Sequence, residues 1–543
     1  MKQYIILFAT TLLMIGCSDS FLEKEPTTSS VVENFYSTPN DGDQALTAVY
    51  SMLLRDDYWS KFILSEQASD NCAGGGGSGD GGGYQLTDRG LTQPDDIANQ
   101  NPWQYYYGAL YRANTYIENE SLIDWKGNET LQKQYLSEAR FLRAYFHFYL
   151  AQMFGEIPAL TQLYAPDYIP PRTPAAELYK FILDDLKYCA DNGLAAPFNS
   201  MDPKNWGRAT KWAAEALMAR VFLYYTGYYN QESLGEFTNA SVLAYIEDCI
   251  NNSGHALVTE FASLWRVPSV SELGGIEYYA GEITPECVWS VTYDIQSSNN
   301  WDKIQRMIGP RNTNIEPYGQ GWGAIPVLPS LWKLYNDADS RKKATILSWN
   351  DEGLVYDHIT QQQAQYTGYN SKKYMLGAVG TTNEITALGG TSWQTKPFED
   401  VMMIRFADVL LMGSELRSLV NGAGDGVALG YLNRVRERAF GSSSYNYNSA
   451  SIENIMQERR LELACEGIRY YDILRSCKGD FSKLATILTY VDETDGGDYS
   501  NSADTESLDV DGNNFVTRKG LFQIPQNELN LMGGIIEQNP GFN

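Results

Sequence analysis

Apolar residues recur at alternating steps of four and three along "QYLSEARFLRAYFHFYLAQMFGEIP". Tyr135, Ala139, Leu142, Phe146, Tyr149 and Met153 thus form one stripe, which predicts an α-helix. Gly155 stands where a C-terminal cap belongs, and Pro158 follows where a helix cannot continue. In "RTPAAELYKFILDDLKYCADNG" the expected N-cap is Thr173, with Pro174 as the first helical residue. Leu178, Ile182, Leu186 and Cys189 line its face and Gly193 ends it. The next helix, "ATKWAAEALMARVFLYYTGYY", carries alanine at 213, 214, 216 and 219, small enough for a neighbouring helix to approach closely. "ASVLAYIEDCIN" is expected to pair with it. Successive amphipathic hairpins imply a mainly α helical array, with degenerate repeats because the tetratricopeptide consensus is absent.

From about 260 to 400 the pattern changes. "ECVWSVTYD" alternates as a strand does, within long stretches rich in Gly, Asn, Thr and Pro. Helices return in "RFADVLLMGSELRSLV", "VALGYLNRVRERAF" and "SIENIMQERRLELACEGIRYYDILRSC". In the last of these, Glu458, Glu462, Glu466 and Arg469 are spaced to share one helix face. That face reads as structural and salt-bridged, meeting Arg434, Arg436 and Arg438. Trp289 and Trp206 read as core residues. The acidic run "DETDGGDYSNSADTESLDVDGNN" reads as a solvated loop, and its Asp509–Gly512 segment falls short of the EF-hand spacing.

The amino terminus places the chain in the cell. Lys2 precedes an apolar core from Tyr4 to Ile15, too short for a permanent bilayer span and suited to a secretory signal. Leu13-Met14-Ile15-Gly16-Cys17 resembles the bacterial lipobox. Cys17 is therefore the expected lipidation site, with residues 1–16 as signal peptide and 17–35 as a tether. The 543-residue chain carries a net charge of −26, a field that repels nucleic acid. The other cysteines, 72, 189, 249, 287, 465 and 477, are scattered without a C-x-x-C. They signal neither a zinc site nor a compact disulfide framework, and leave isolated disulfides open.

Enzyme motifs are scarce. Gly74, Gly76 and Gly79 formally match G-x-G-x-x-G, but neither a strand before them nor a helix N-terminus after them is evident in the sequence; residues 73–83 read as a mobile glycine loop. G-x-S-x-G and H-E-x-x-H are absent, and the three histidines (147, 255, 358) are not paired; His147 reads as a packed or capping-side residue of its helix. No catalytic residue, metal or cofactor is indicated. Sugar binding needs different material: aromatic rings to stack on a pyranose face, and polar side chains to bond its hydroxyls, held on loops. Two stretches offer it, 58–84 with Tyr58, Trp59, Asp70, Asn71 and Tyr84, and 293–322 with Tyr293, Asn299, Trp301, Arg311, Tyr318 and Trp322. The expected glycan contacts are Asp70, Asn71, Tyr84, Trp301, Tyr318 and Trp322.

Several segments, in order, resemble the SusD/RagB family of Bacteroidetes surface glycan-binding lipoproteins. They include the lipobox with "FLEKEPTTS", "SEARFLRAYFHFYLAQMFGEIP", "WGRATKWAAEALMARVFLYY", "YGQGWGAIPVLPSLWKLYNDADSRK", "IRFADVLLMGSEL", "ERRLELACEGIRYYDILR" and the terminal "IPQNELN…IIEQNPGF". The resemblance implies a SusD-like α/α superhelix of four degenerate tetratricopeptide-like helix pairs with a loop-rich ligand-binding half. Residues 36–543 would be one domain, with helices at about 41–255 and 404–477 and the binding region at about 58–100 and 260–400. It further implies a non-catalytic, lipid-anchored outer-membrane protein that captures oligosaccharides. These it would deliver to a SusC-like TonB-dependent transporter. Two other readings stay open, a surface glycoside hydrolase and a tetratricopeptide-type scaffold for proteins.

Overall fold

Local sequence signals begin or end several of the helices. The computed structural model describes residues 35–55, 61–77, 79, 82–165, 168–295, 301–491 and 508–542. Cys17 with its signal and tether, Tyr58, Trp59, Asn299 and most of the acidic run lie outside them. The first long helix, α1 (Pro39–Tyr50), starts at a capping box in which Thr38 and Asp41 satisfy each other's backbone N–H groups. It packs on α2 (Ile97–Asn119) and α3 (Glu129–Phe154). Asn128 caps α3, and Gly155, at φ 72°, ends it. Inside α3, Arg143 makes two bonds of 2.7 and 2.9 Å to the buried Asp185 of α4 (Ala175–Asn192). Pro174, not Thr173, is the N-cap of α4; the Thr173 hydroxyl instead accepts the Ala159 N–H across the loop. Thr210 caps α5 (Lys211–Tyr228), whose alanines are fully buried as their size anticipates.

These helices stack in order: α2 with α3, α4 with α5, α6 (Asn239–Asn252) with α7 (Phe406–Asn421), then α8 (Gly426–Phe440) with α9 (Ile452–Glu462). The four pairs form the tetratricopeptide-like superhelix. Between α6 and α7 the chain leaves the array for some 150 residues, 253–405, and returns. Two strands close the neck of this excursion: β1 (Cys287–Val291) pairs antiparallel with β2 (Val401–Arg405), which runs straight into α7. Trp289 of β1 is buried edge-on against Phe141 and Tyr145 of α3. Trp206, in contrast, is 42% exposed: its turn runs over the surface, so the core reading holds for one tryptophan and fails for the other. The excursion has its own apolar core, which includes Phe261, Trp265, Met307, Trp349 and Tyr374.

The neck is electrostatic as well as hydrogen-bonded. Arg405, at the end of β2, bonds Glu286 (2.5 Å), Glu462 of α9 (2.9 Å) and Glu466 (2.7 Å). Arg438 of α8 bonds Glu286 and Glu462, and Arg341 bonds Asp339, Glu458 and Glu462. Arg436 reaches Glu458, and Lys373 reaches Glu466 at 2.7 Å. Five cations thus meet five carboxylates, nearly all buried. The structural reading of Glu458, Glu462 and Glu466 stands, with two corrections. Arg434 lies over Phe406 instead, and the residues do not share one helix. Helix α9 ends at Glu462 and α10 begins at Arg469 (Arg469–Ser476), with Cys465 (φ 61°) and Gly467 (φ 74°) turning the chain between them. A Cβ on Gly467 would stand 2.7 Å from the Phe62 backbone, so only glycine fits that elbow.

Burial alone would raise the Glu462 carboxyl, but Arg438, Arg405 and Arg341 hold it well below the usual carboxylate range. Removing its charge leaves three buried guanidiniums short of a partner. Glu462→Gln is therefore expected to cost about 3–5 kcal/mol in denaturant unfolding, where the exposed Glu453→Gln on the same helix costs under about 0.5 kcal/mol. Equal, small effects would show that the cluster does not hold the neck.

Candidate functional site

Two of the expected aromatic contacts come together on the excursion. Trp301 and Trp322 are each half-buried, on separate loop segments, and one cation braces both. The Arg306 guanidinium lies 4.4 Å from the Trp301 ring centre and 4.6 Å from that of Trp322. Arg306 is itself buried, its Nη1 donating to the Gln394 carbonyl at 3.1 Å. The Trp322 backbone N–H donates to the Arg306 carbonyl at 3.0 Å, and Lys303 lies 5.6 Å from the Trp301 ring centre while donating to Leu54 O. Stacking on guanidinium fixes ring orientation, and cation–π contacts of this kind contribute about 0.5–2 kcal/mol each. The result is a pair of oriented, partly open indoles.

Beneath Trp322 lies the glycine run, and there the mobile-loop expectation fails for its first half. Residues 73–77 are buried and laid along 323–327: Ala73 N donates to Pro326 O at 2.8 Å and Gly76 N to Gly323 O at 2.8 Å. Gly75 has φ 68°, and a Cβ there would stand 2.2 Å from the Gly323 carbonyl oxygen. The glycines serve close backbone approach, not freedom.

The other expected contacts sit deeper. Asp70 is clamped by Arg469 (2.7 and 2.9 Å) and Arg460 (3.0 Å), and Asn71 accepts the Arg460 Nε–H at 3.0 Å. Tyr84 is buried, its hydroxyl 3.8 Å from the Met307 sulfur, one residue past Arg306. Tyr318 is buried, donating to Glu352, with Lys372 5.2 Å from its ring centre. Of the wider candidates, Arg311 donates to Trp322 O at 3.4 Å and the Tyr293 N–H to Asp400 at 2.8 Å. The structure therefore brings Trp301 and Trp322 together through Arg306. Asp70, Asn71, Tyr84 and Tyr318 instead make contacts within the fold. Arg306, Lys303 and Gln394 carry no periodic or motif signal in the sequence.

A family model described as "SusD family" matches residues 285–542, and one described as "Starch-binding associating with outer membrane" matches residues 20–223. The chain is similar to the SusD/RagB family along most of its length. SusD-like protein P2 of Formosa agariphila is 26% identical, covering 100% of both chains. A SusD-like protein of Bacteroides ovatus is 25% identical over 87% of this chain and 82% of its own. Surface glycan-binding protein A from Bacteroides fluxus superposes with a TM-score of 0.73 at 26% identity, over 93% of this chain and 100% of its own. The protein of that name from Bacteroides thetaiotaomicron, in complex with laminarihexaose, has a TM-score of 0.71 at 21% identity, over 92% and 99%.

Next to Trp301 the chain holds a buried carboxyl pair, Asp302 and Asp400. Asp302 is fully buried, accepting the Ile304 N–H at 2.7 Å. Burial pushes its carboxyl up to about 7, against the pull of Arg306 and two backbone N–H groups. Asp400 is pushed up to about 8 by burial and by Glu282. Both start from an ordinary value of 3.8, so between about pH 4 and pH 8 the folded protein holds protons that the unfolded chain has released. Stability from these groups is full below that window and falls as pH rises through it. Carboxylates held low, such as Glu462, act only on the acid side. The melting temperature is expected to fall from about pH 5.5 to pH 8.5, and Asp302→Asn and Asp400→Asn should each flatten the slope. A rising slope, or one the variants leave unchanged, contradicts this assignment.

Proposed function

We propose that this protein captures oligosaccharides at the cell surface, stacking sugar rings on Trp301 and Trp322, and passes them to a SusC-like TonB-dependent outer-membrane transporter. The observation that carries the reading is the Arg306-braced pair of half-open indoles. Pyranose C–H faces pack on such rings, and orientation fixed in advance lowers the entropy cost of binding. Named relatives support the ligand class: one fold neighbour is a laminarin-binding SusD-like protein and another holds laminarihexaose. Asp70, Asn71, Tyr84 and Tyr318 act in this reading as the support of the platform. A lipid on Cys17 holds the protein on the outer membrane. Among the described residues no helix is long and apolar enough to cross a membrane.

Binding without catalysis fits the chemistry of the site. A glycosidase sets two carboxyl groups on either side of the scissile bond. The acids nearest the platform, Asp302 and Asp400, are both buried, and each accepts a backbone N–H, from Ile304 and Tyr293 respectively. Reducing-sugar release from polysaccharides would establish the hydrolase reading, and a glycan array without signal would favour a protein scaffold.

Trp301→Ala and Trp322→Ala are each expected to weaken glycan binding by about 1–3 kcal/mol, the range of aromatic stacking on a flat ring. Calorimetric titration beside a melting curve checks it. Intact binding with a melting temperature lowered by loss of a buried aromatic, about 3–5 kcal/mol, removes that tryptophan from the site. Cys17→Ala is expected to release the protein from the outer-membrane fraction in cells lacking the transporter. Retention there contradicts the anchor.

A further inference from the structure

The six cysteines among the described residues are all buried, and none is bonded to another. One pair meets: Cys72 Sγ and Cys465 Sγ lie 4.0 Å apart, on segments 393 positions apart in sequence. Cys72 heads the glycine strap that lies along 323–327. Cys465 sits at the elbow between α9 and α10, in a left-handed conformation (φ 61°) that a side-chain-bearing residue adopts only under constraint. The two sulfurs therefore join the parts the rest of the molecule must keep together: the strap under Trp322, and the helix break beside the buried ion cluster.

We propose that Cys72 and Cys465 close to a disulfide in the exported protein, locking the glycine strap to the α9–α10 elbow. This rests on the surface location proposed above, since disulfides persist in oxidising compartments. The oxidant is a disulfide-bearing oxidoreductase of the export route. One thiolate attacks its disulfide to give a mixed disulfide, and the second displaces it. The Sγ–Sγ bond forms, and two electrons and two protons pass to the oxidant, which leaves as a dithiol. Both thiols are buried once the strap has docked, so the exchange belongs to folding. Closure needs the sulfurs to approach from 4.0 Å to about 2.05 Å. A cross-link over so long a loop restricts the unfolded chain strongly.

Glu66 brings a third donor, its ligand atom lying with the two sulfurs inside a 4.8 Å group. A structural zinc site takes four ligands, whereas this group offers three, and one Glu66 oxygen already accepts the Gly467 N–H at 2.8 Å. The geometry favours sulfur–sulfur bonding over metal.

The test is non-reducing peptide mapping of wild-type protein from the outer-membrane fraction, alkylated at lysis, with protease accessibility on intact cells read in parallel. We expect a linked peptide pair containing Cys72 and Cys465, and alkylated Cys189, Cys249, Cys287 and Cys477. Reduction should lower the melting temperature, and the Cys72→Ala/Cys465→Ala double variant should lose that response to reductant. A surface-exposed protein with Cys72 and Cys465 both alkylated overturns the disulfide and leaves the location standing. So does stoichiometric zinc with both thiols free. Protein that is not surface-exposed overturns the location, while the mapping still reads the pair.

Discussion

The Arg405 guanidinium, held between Glu286, Glu462 and Glu466, is the contact on which the rest of the structure depends. It stands where the chain re-enters the helical array after an excursion of some 150 residues, and it ties that point to α9 and to the elbow beyond it. Desolvating ten charged groups is costly, and apolar residues of the same volume could match the cluster for stability. An ionic cluster adds position: each guanidinium fork donates to carboxylates only in a few orientations. We read the neck as a registration device that sets how the loop-rich half sits on the helices.

The platform inherits its geometry from that registration. The elbow at 463–468 receives the segment that carries Phe62 and Glu66, and the same segment leads into Asp70, Asn71 and the strap. Arg460 and Arg469, on either side of the elbow, clamp Asp70. The strap in turn lies against 323–327, which follow Trp322 directly. Arg306 then aligns the second indole with the first. Each step is a short-range contact, so an error at the neck would displace the rings while leaving the helix pairs α2 to α5 intact.

Much of this was legible in the sequence where the physics is local. Helix α3 shows its stripe and its terminal glycine because both are set by spacing along one helix. The break after Glu462 was hidden, since the charged positions keep a helical spacing across it; only the need of Gly467 for a left-handed turn against Phe62 reveals the elbow. The glycine run misled because composition cannot separate a free loop from a strap that needs close backbone approach. Asp70 and Asn71 look like sugar ligands by type, yet their partners lie some 390 residues away. Trp206 and Trp289 differ in burial for a tertiary reason as well: Trp289 alone faces α3. Arg306 was missed because a lone arginine in a loop announces nothing until two rings are found against it.

The most direct test of this dependence is hydrogen–deuterium exchange across an Arg405→Gln variant, read peptide by peptide. If the neck registers the loop-rich half, residues 301–327 lose protection while α3, Glu129–Phe154, keeps its own. Unchanged protection at 301–327, or a uniform loss that includes α3, would contradict the account.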